Sequence, residues 1–251
     1  MTNQEIFAAA MRQSAIDLGC DAGDFQRTEN VIVPAADSPD ARRYLHLPYP
    51  AYLVSYGSNI VASVMPEYQA IVREYLGRTD PRFCFSTPDI NLLNAAFAPH
   101  HMSVGIASEY WLPDVNVLRP LSCAYETRIL TQEDFAELYL PEWSNALCEK
   151  RAELDVLGVG AYDGEKLIGL AGCSADCDSM RQIGIDVLPE YRRKGIAAAL
   201  TSQLAVEIIK REKVPFYCCA WCNLASARNA VKSGFRPAWT EIDVRKLDNL
   251  A

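Results

Sequence analysis

A chain of 251 residues, half of them hydrophobic and 22% charged, carries enough apolar material for one large globular domain or two modest ones. Its formal net charge of −8 excludes a basic nucleic-acid footprint, and no apolar run approaches the roughly 18 residues that a membrane span needs. Glu5 lies within the first residues and no basic stretch precedes it, which excludes a secretory signal and points to the cytoplasm.

In chain order, residues 3–18 place Phe7, Met11, Ala15 and Leu18 on one helical stripe, with Thr2 and Glu5 at capping-box spacing and Gly19 as the stop. Val31–Val33 reads as a strand and Pro34–Arg43 as a loop. An aromatic-rich segment follows, holding Tyr44, His46, Tyr49, Tyr52 and Tyr56, with strands predicted at 52–56 and 60–64. Pro66 opens a helix to Leu76, and Phe83–Phe85 is a short strand. A helix over 89–97 and a strand over 102–110 complete this half. Trp111–Pro120, bracketed by prolines, is the candidate boundary between an N-terminal domain, residues 1–119, and a second domain, residues 120–251.

The second half reads as a strand at 126–130, then Thr131 as a cap and one or two helices to about Glu153. Strands at 156–162 and 166–173 are joined by Asp163-Gly164, a hairpin signal. Met180–Leu188 is the central strand. A helix over 196–211 follows, with Ile196, Leu200, Leu204 and Ile208 on one face. A strand at 215–221, a helix at 223–233 stopped by Gly234, and a strand at 238–244 close the chain. The order β-α-α-β-β-β-α-β-α-β is a mixed-sheet α/β architecture, preceded by a smaller α/β N-terminal domain. Val64-Met65-Pro66-Glu67-Tyr68 echoes Val187-Leu188-Pro189-Glu190-Tyr191, but the first copy lacks a glycine loop, and five matching residues leave coincidence and ancestry both open.

A strand that breaks at Pro189 and restarts as a helix after Arg192-Arg193-Lys194-Gly195 exposes unpaired N–H groups at a helix N-terminus, suited to an anion such as pyrophosphate. The pattern Val187-x-Pro189-x-Tyr191-Arg192-x-x-Gly195-x-Ala197 resembles the acetyl-CoA loop of the GNAT superfamily of N-acetyltransferases. Asn223-x-x-Ser226 with Gly234-Phe235 resembles that family's second signature, although Asn223 is also a preferred helix N-cap. The resemblance covers about residues 125–245 and implies an acetyl-CoA-dependent N-acetyltransferase, with acetyl-CoA as co-substrate and no metal. It implies cofactor contacts from Ile185 and Val187, from Arg192, Arg193, Lys194, Gly195, Ile196, Ala197 and Ala198, and from Asn223 and Ser226. Glu142, Trp143, Asn145 and Glu149 fall in the region that flanks the acceptor in this family.

The chain departs from the pattern where many members carry a tyrosine as general acid, because that position is Ala230. Tyr217 and Tyr191 are the phenols nearest the cofactor motifs, Tyr217 being a core candidate as well as a catalytic one. Asp186, a carboxylate inside an apolar strand, either takes the amine's proton through water or anchors a cationic acceptor. Alternatively it pairs structurally with an arginine or backbone donors. The nine cysteines read as reduced thiols. The pairs Cys173/Cys177 and Cys219/Cys222 belong to opposite ends of the expected sheet, which argues against a shared metal. The leading function is acetyl transfer to a primary amine of a small molecule, with the acid balance favouring a cationic acceptor. A non-catalytic acyl-CoA-binding module and a thiol or metal redox protein are the alternatives. A homodimer is left open, and neither nucleic acid nor membrane is an expected partner.

Overall fold

The structure, a computed structural model, describes residues 1–249. Its first helices and strands are α1 (Asn3–Leu18), β1 (Val31–Pro34), β2 (Ala51–Ser55), β3 (Val61–Val64), α2 (Gln69–Arg78) and α3 (Thr87–Phe97). Strands β4 (Met102–Val104), β5 (Ser108–Pro113), β6 (Glu126–Thr131), β7 (Asp155–Asp163), β8 (Lys166–Ser174) and β9 (Met180–Val187) follow. The chain closes with α4 (Ile196–Lys210), β10 (Val214–Ala220), α5 (Leu224–Lys232) and β11 (Phe235–Lys246). Two compact units result. One holds Met1–Ala9, Trp111–Cys219 and Asn223–Pro237, and the other holds Ala10–Tyr110, Ala220–Cys222 and the chain from Ala238.

The first unit is built on strands in the order β10-β9-β8-β7-β6, antiparallel except for the parallel β9–β10 pair. A two-residue turn at Gly164-Glu165 joins β7 to β8, as the Asp-Gly signal requires. On one face lies α4. Its stripe of Ile196, Leu200, Leu204 and Ile208 is buried with Val159, Ala171, Ile183 and Val187, and Ala230 of α5 belongs to the same core. Alternation puts Gly172, Gly184 and Asp186 on the opposite face, which the segment after β6 covers.

That covering segment corrects the sequence-based expectation of one or two helices over 131–153. It forms three short 3₁₀ turns, Gln132–Phe135, Pro141–Trp143 and Glu149–Leu154. Thr131 and Asp134 do make the expected reciprocal cap, but Leu140 is extended (φ −118°, ψ 154°) ahead of Pro141, and Arg151 leaves helical geometry. Carboxylates elsewhere in the chain take the N–H groups that a helix would have used: Cys148 N–H donates to Asp155 (2.8 Å), and Asn145 and Ala146 donate to Asp186. Phe135, Trp143, Ala146 and Leu147 then pack with Leu130 and Leu170.

In the second unit the order is β1-β3-β2-β11, with β4 pairing the last residues of β11. Helices α2 and α3 supply Leu76, Leu93 and Phe97 to a core with Leu53, Ala62, Val64 and Ile242. The other face of β2 and β11 carries an ionic centre that the sequence does not announce. Arg42, wholly buried, donates to Asp17, Tyr44, Tyr52 and Glu241, and Trp239 also donates to Glu241 (2.6 Å). Residues 83–85 form a turn rather than the expected strand, and the strand expected over 102–110 is interrupted at Gly105–Ala107. The echoed pentapeptides share a conformation. Met65 (φ −58°, ψ 140°) and Leu188 (φ −55°, ψ 140°) each lead from a strand into a Pro-Glu-Tyr 3₁₀ turn. After Tyr68 the helix begins at once, whereas after Tyr191 four residues intervene.

Candidate active site

Those four residues, Arg192-Arg193-Lys194-Gly195, form the turn at the candidate site. Arg193 (φ 63°) and Gly195 (φ 83°) both occupy the left-handed region, an uncommon conformation for the arginine and an easy one for glycine. The turn delivers the chain into α4, whose first internal bond is Ala199 N–H to Gly195 C=O (3.1 Å). The N–H groups of Ile196, Ala197 and Ala198 therefore have no acceptor within the helix, and the helix dipole reinforces them. A Cβ on Gly195 would meet nothing within 4 Å, so the backbone of the turn is open to a ligand.

A cavity of about 320 Å³ lies at this N-terminus. It is lined by Val187, Tyr191, Arg192, Arg193, Gly195, Ile196, Ala197 and Ala198, and by Ala225, Arg228, Asn229 and Lys232 of α5. Among the described residues four cations and no carboxylate line it. This donor set fits a phosphate-bearing ligand. The sequence reading expected Asn223 and Ser226 from this helix and missed the four residues that line the cavity, although positions 225, 228, 229 and 232 recur at helical spacing and so mark one face. Arg192 is held in place by its Nε, which donates to Val187 C=O (2.9 Å). Lys194 instead leans on two phenols: its Nζ bonds Tyr125 OH (3.2 Å) and stands 4.8 Å from the Tyr191 ring centroid.

Beside the cavity two strands part. The parallel register of β9 with β10 runs from Met180↔Val214 to Ile183↔Tyr217 and stops, while β9 continues to Val187. Leu188 N–H donates to Ile168 of β8 (3.0 Å). By alternation the main-chain groups of Ile185 and Val187 point away from β8, toward the side that β10 has left. Two N–H donors therefore face the side where the β9–β10 pairing has ended. At the point of divergence Gln182 donates to Cys218 Sγ (3.0 Å).

On the far face from α4, Asp186 is fully engaged. Its Oδ2 accepts from Asn145 N–H (2.8 Å) and Ala146 N–H (3.0 Å), and its Oδ1 accepts from the Asn145 side chain (2.7 Å). Gly184 and Gly172 complete the seat, because a Cβ on either would collide with the carbonyl oxygen of Asn145 or Ala146. Of the residues expected at the acceptor, Asn145 is thus clamped to β9, and Glu142 and Glu149 are exposed. Trp143, 4% exposed, belongs to the core under the segment. Its burial follows from the helix that did not form, since the 3₁₀ turn at Pro141–Trp143 directs the indole onto the sheet.

Tyr217 is buried in the α4-side core. Burial pushes its phenol pKa up, and hydrogen bonding with Ser226 and Asn229 opposes that shift. Asn223 caps α5 by accepting from Ser226 N–H (3.2 Å), so its side chain is occupied as a cap. Ala230 is completely buried and offers no polar group. Among the described residues no three His, Cys, Asp or Glu side chains are grouped to hold a metal, and no helix is long and apolar enough to cross a membrane.

The family model for GNAT acetyltransferases matches residues 114–239. No curated protein matches the chain. A solved GCN5-related N-acetyltransferase-like protein from Streptococcus suis is 19% identical over 61% of this chain and 69% of its own, with a TM-score of 0.45. A GNAT-family acetyltransferase from Colwellia psychrerythraea is 14% identical, covering 73% of this chain and 75% of its own, with a TM-score of 0.48. An aminoglycoside N-acetyltransferase in complex with CoA is 18% identical, covering 48% and 93%, with a TM-score of 0.36.

Proposed function

The chain belongs to the GNAT acetyltransferase family, and from that premise we propose that it moves the acetyl group of acetyl-CoA to a primary amine of a small molecule. The observation that carries this reading is the adjacency of two features: a cavity lined by four cations at the N-terminus of α4, and the parting of β9 from β10 beside it. Acetyl-CoA, when bound, supplies an acyl group already activated as a thioester.

The roles we assign follow from chemistry. Ile196, Ala197 and Ala198 offer N–H groups to phosphate, and Arg193, Arg228 and Lys232 balance its charge. Ile185 and Val187 offer N–H groups in the cleft, where they can hold a carbonyl oxygen as it gains charge. Asp186 acts as a positioning residue, because both of its oxygens are spent on Asn145 and Ala146. Tyr217 keeps its proton, since burial favours the neutral phenol. Glu142 and Glu149 are exposed on the neighbouring segment, and we assign them contacts to a cationic acceptor. Nine scattered thiols, none of them bridged, fit the reducing cytoplasm.

A second reading has one observation in its favour. Ala230 removes the phenol that many members use, as in an acyl-CoA-binding module without turnover. Release of CoA thiol from acetyl-CoA, measured against a panel of primary amines, separates the two. Thiol release that depends on one class of amine supports transfer, whereas binding of acetyl-CoA with no release above solvent hydrolysis for any amine supports the module.

A further inference from the structure

A second cavity of the first unit, of about 180 Å³, lies in the segment between β6 and β7. It exists because that segment is not a helix. The chain runs extended through Leu140, turns at Pro141–Trp143 and turns again from Glu149. Trp143 and Leu147, both buried, line the cavity from the core side. Tyr139 and Leu140 add an aromatic and an aliphatic wall, and exposed Ser144 and Glu149 add its polar groups. The Tyr139 hydroxyl donates to Ala152 C=O (3.3 Å), which ties the start of the cavity to the turn that carries Glu149. In charge this cavity is the reverse of the cationic one. Glu149 lines it, and among the described residues no cation does. Glu149 also has no salt bridge or hydrogen bond among the described residues. Lys150 does not line the cavity, and Arg151 is committed to Asp176. An unpaired carboxylate beside aromatic rings favours a cation, and aliphatic carbon beneath it favours hydrocarbon attached to that cation. The volume is below the roughly 300–1,000 Å³ of pockets for drug-sized ligands, so it suits a short arm.

We propose that this cavity binds the ammonium group of a small alkylamine, with the charge at Glu149 and the hydrocarbon over Trp143 and Leu147. A site that favours the cation keeps the amine protonated, and a protonated amine cannot attack a thioester. The ammonium bound here is therefore not the group that is acetylated. It belongs either to the acceptor, as a second charged group, or to a separate small amine. The first source rests on the acetyl-transfer reading above, whereas the site itself does not. Ser144 lines the cavity, and the next residue, Asn145, is held on Asp186 of β9. One residue thus separates the cavity from the clamp on the strand that carries Ile185 and Val187.

The test is an NMR titration of the ¹⁵N-labelled chain with n-butylammonium chloride and with 1-butanol at equal ionic strength. The Trp143 indole resonance, assigned through its contacts to its own backbone, should move with n-butylammonium. The wild-type protein should bind n-butylammonium about fivefold or more tightly than 1-butanol, the scale of one exposed ion pair with one cation–π contact. In Glu149→Gln, a substitution at an exposed position, the preference should fall to within about twofold. Equal affinity for the two probes in the wild-type protein, an undiminished preference in Glu149→Gln, or an indole resonance that ignores n-butylammonium overturns the site. Turnover with acetyl-CoA then identifies the source. If the ammonium belongs to the acceptor, 1,4-diaminobutane has a lower KM than n-butylamine, and Glu149→Gln removes the difference with kcat retained. Equal KM values in both proteins assign the site to a separate amine and remove Glu149 from the acceptor's contacts. A chain that binds n-butylammonium as expected but releases no CoA thiol with any amine keeps the site and removes the acetyl-transfer reading.

Discussion

Replacing Asp186 separates a clamp from a base. In the structure Asp186 receives three hydrogen bonds, two from the main chain of Asn145 and Ala146 and one from the Asn145 amide. Asp186→Ala removes all three. Hydrogen bonds to a charged group contribute about 1.5–3 kcal/mol each, but Asn145 is exposed and water replaces much of its share. Ala146 is buried and recovers little. The expected loss is roughly 2–4 kcal/mol, or about 5–15 °C in Tm for a chain of this size. Asp186→Asn behaves differently. Its oxygen can keep both main-chain donors, and its amide can face the Asn145 carbonyl after that side chain flips. Only the charge assistance is lost, about 1 kcal/mol. Thermal melts should therefore rank wild type, Asn and Ala in that order. The kcat/KM of Asp186→Asn should stay within about threefold of wild type, with an unchanged pH profile. A folded Asp186→Asn whose kcat/KM falls about 10²-fold, together with loss of the acidic limb of the pH profile, would show that Asp186 is the base. Gly184→Ala probes the same seat from the other side. Its new Cβ has no room under Asn145, and overpacking should destabilise by about 1–3 kcal/mol.

The second unit should depend on its ionic centre: Arg42→Met leaves Asp17 and Glu241 buried without their cation, a loss of about 3–5 kcal/mol that chemical denaturation would register. A variant within 1 kcal/mol of wild type would mean that the centre contributes little. Glu207 is held below the usual carboxylate range by hydrogen bonds from Lys210 and Arg211. With its folded pKa lowered, its stabilising effect is present above the ordinary value of 4.5 and fades as pH falls through the folded value. Glu207→Gln should accordingly lower Tm at pH 7 and converge with wild type in acid, and parallel Tm curves would contradict this.

Local rules carried far where the chain's own periodicity decided the outcome. The stripe from Ile196 to Ile208 marked the buried face of α4, and Asp163-Gly164 marked the hairpin. The backbone of the turn before α4, proposed above to hold the cofactor, was legible because its requirements are local: a strand end, a glycine with positive φ, and a helix start. The segment over 131–153 was not. Thr131 and Asp134 make the same reciprocal bonds at a 3₁₀ turn as at an α-helix, so the cap could not tell the two apart. What decided the segment's course was Asp186, 41 residues further along, together with two glycines that make room for its carbonyls. Asp186 itself stood out in the sequence as a polar residue in an apolar strand, but its partners arrive from a part of the chain that no strand rule can place. Arg42 shows the same limit, since a loop arginine gives no sign that it will be buried under Asp17 and Glu241. The cations of α5 were readable from their spacing, yet only the folded turn shows which way that face looks.

The central claim is that acetyl-CoA lies with its phosphates on the Arg192–Ala198 turn. Gly195→Glu tests it most directly, because the new side chain meets no protein atom at its Cβ and brings negative charge to the place assigned to phosphate. The left-handed conformation at φ 83° makes the substitution strained, so folding is checked first by thermal melting. Titration calorimetry on the wild-type chain should then give one acetyl-CoA per chain. The folded variant should bind at least about tenfold more weakly, a difference of about 1.4 kcal/mol. Equal affinity in the two folded proteins, or a stoichiometry of two, would contradict the account.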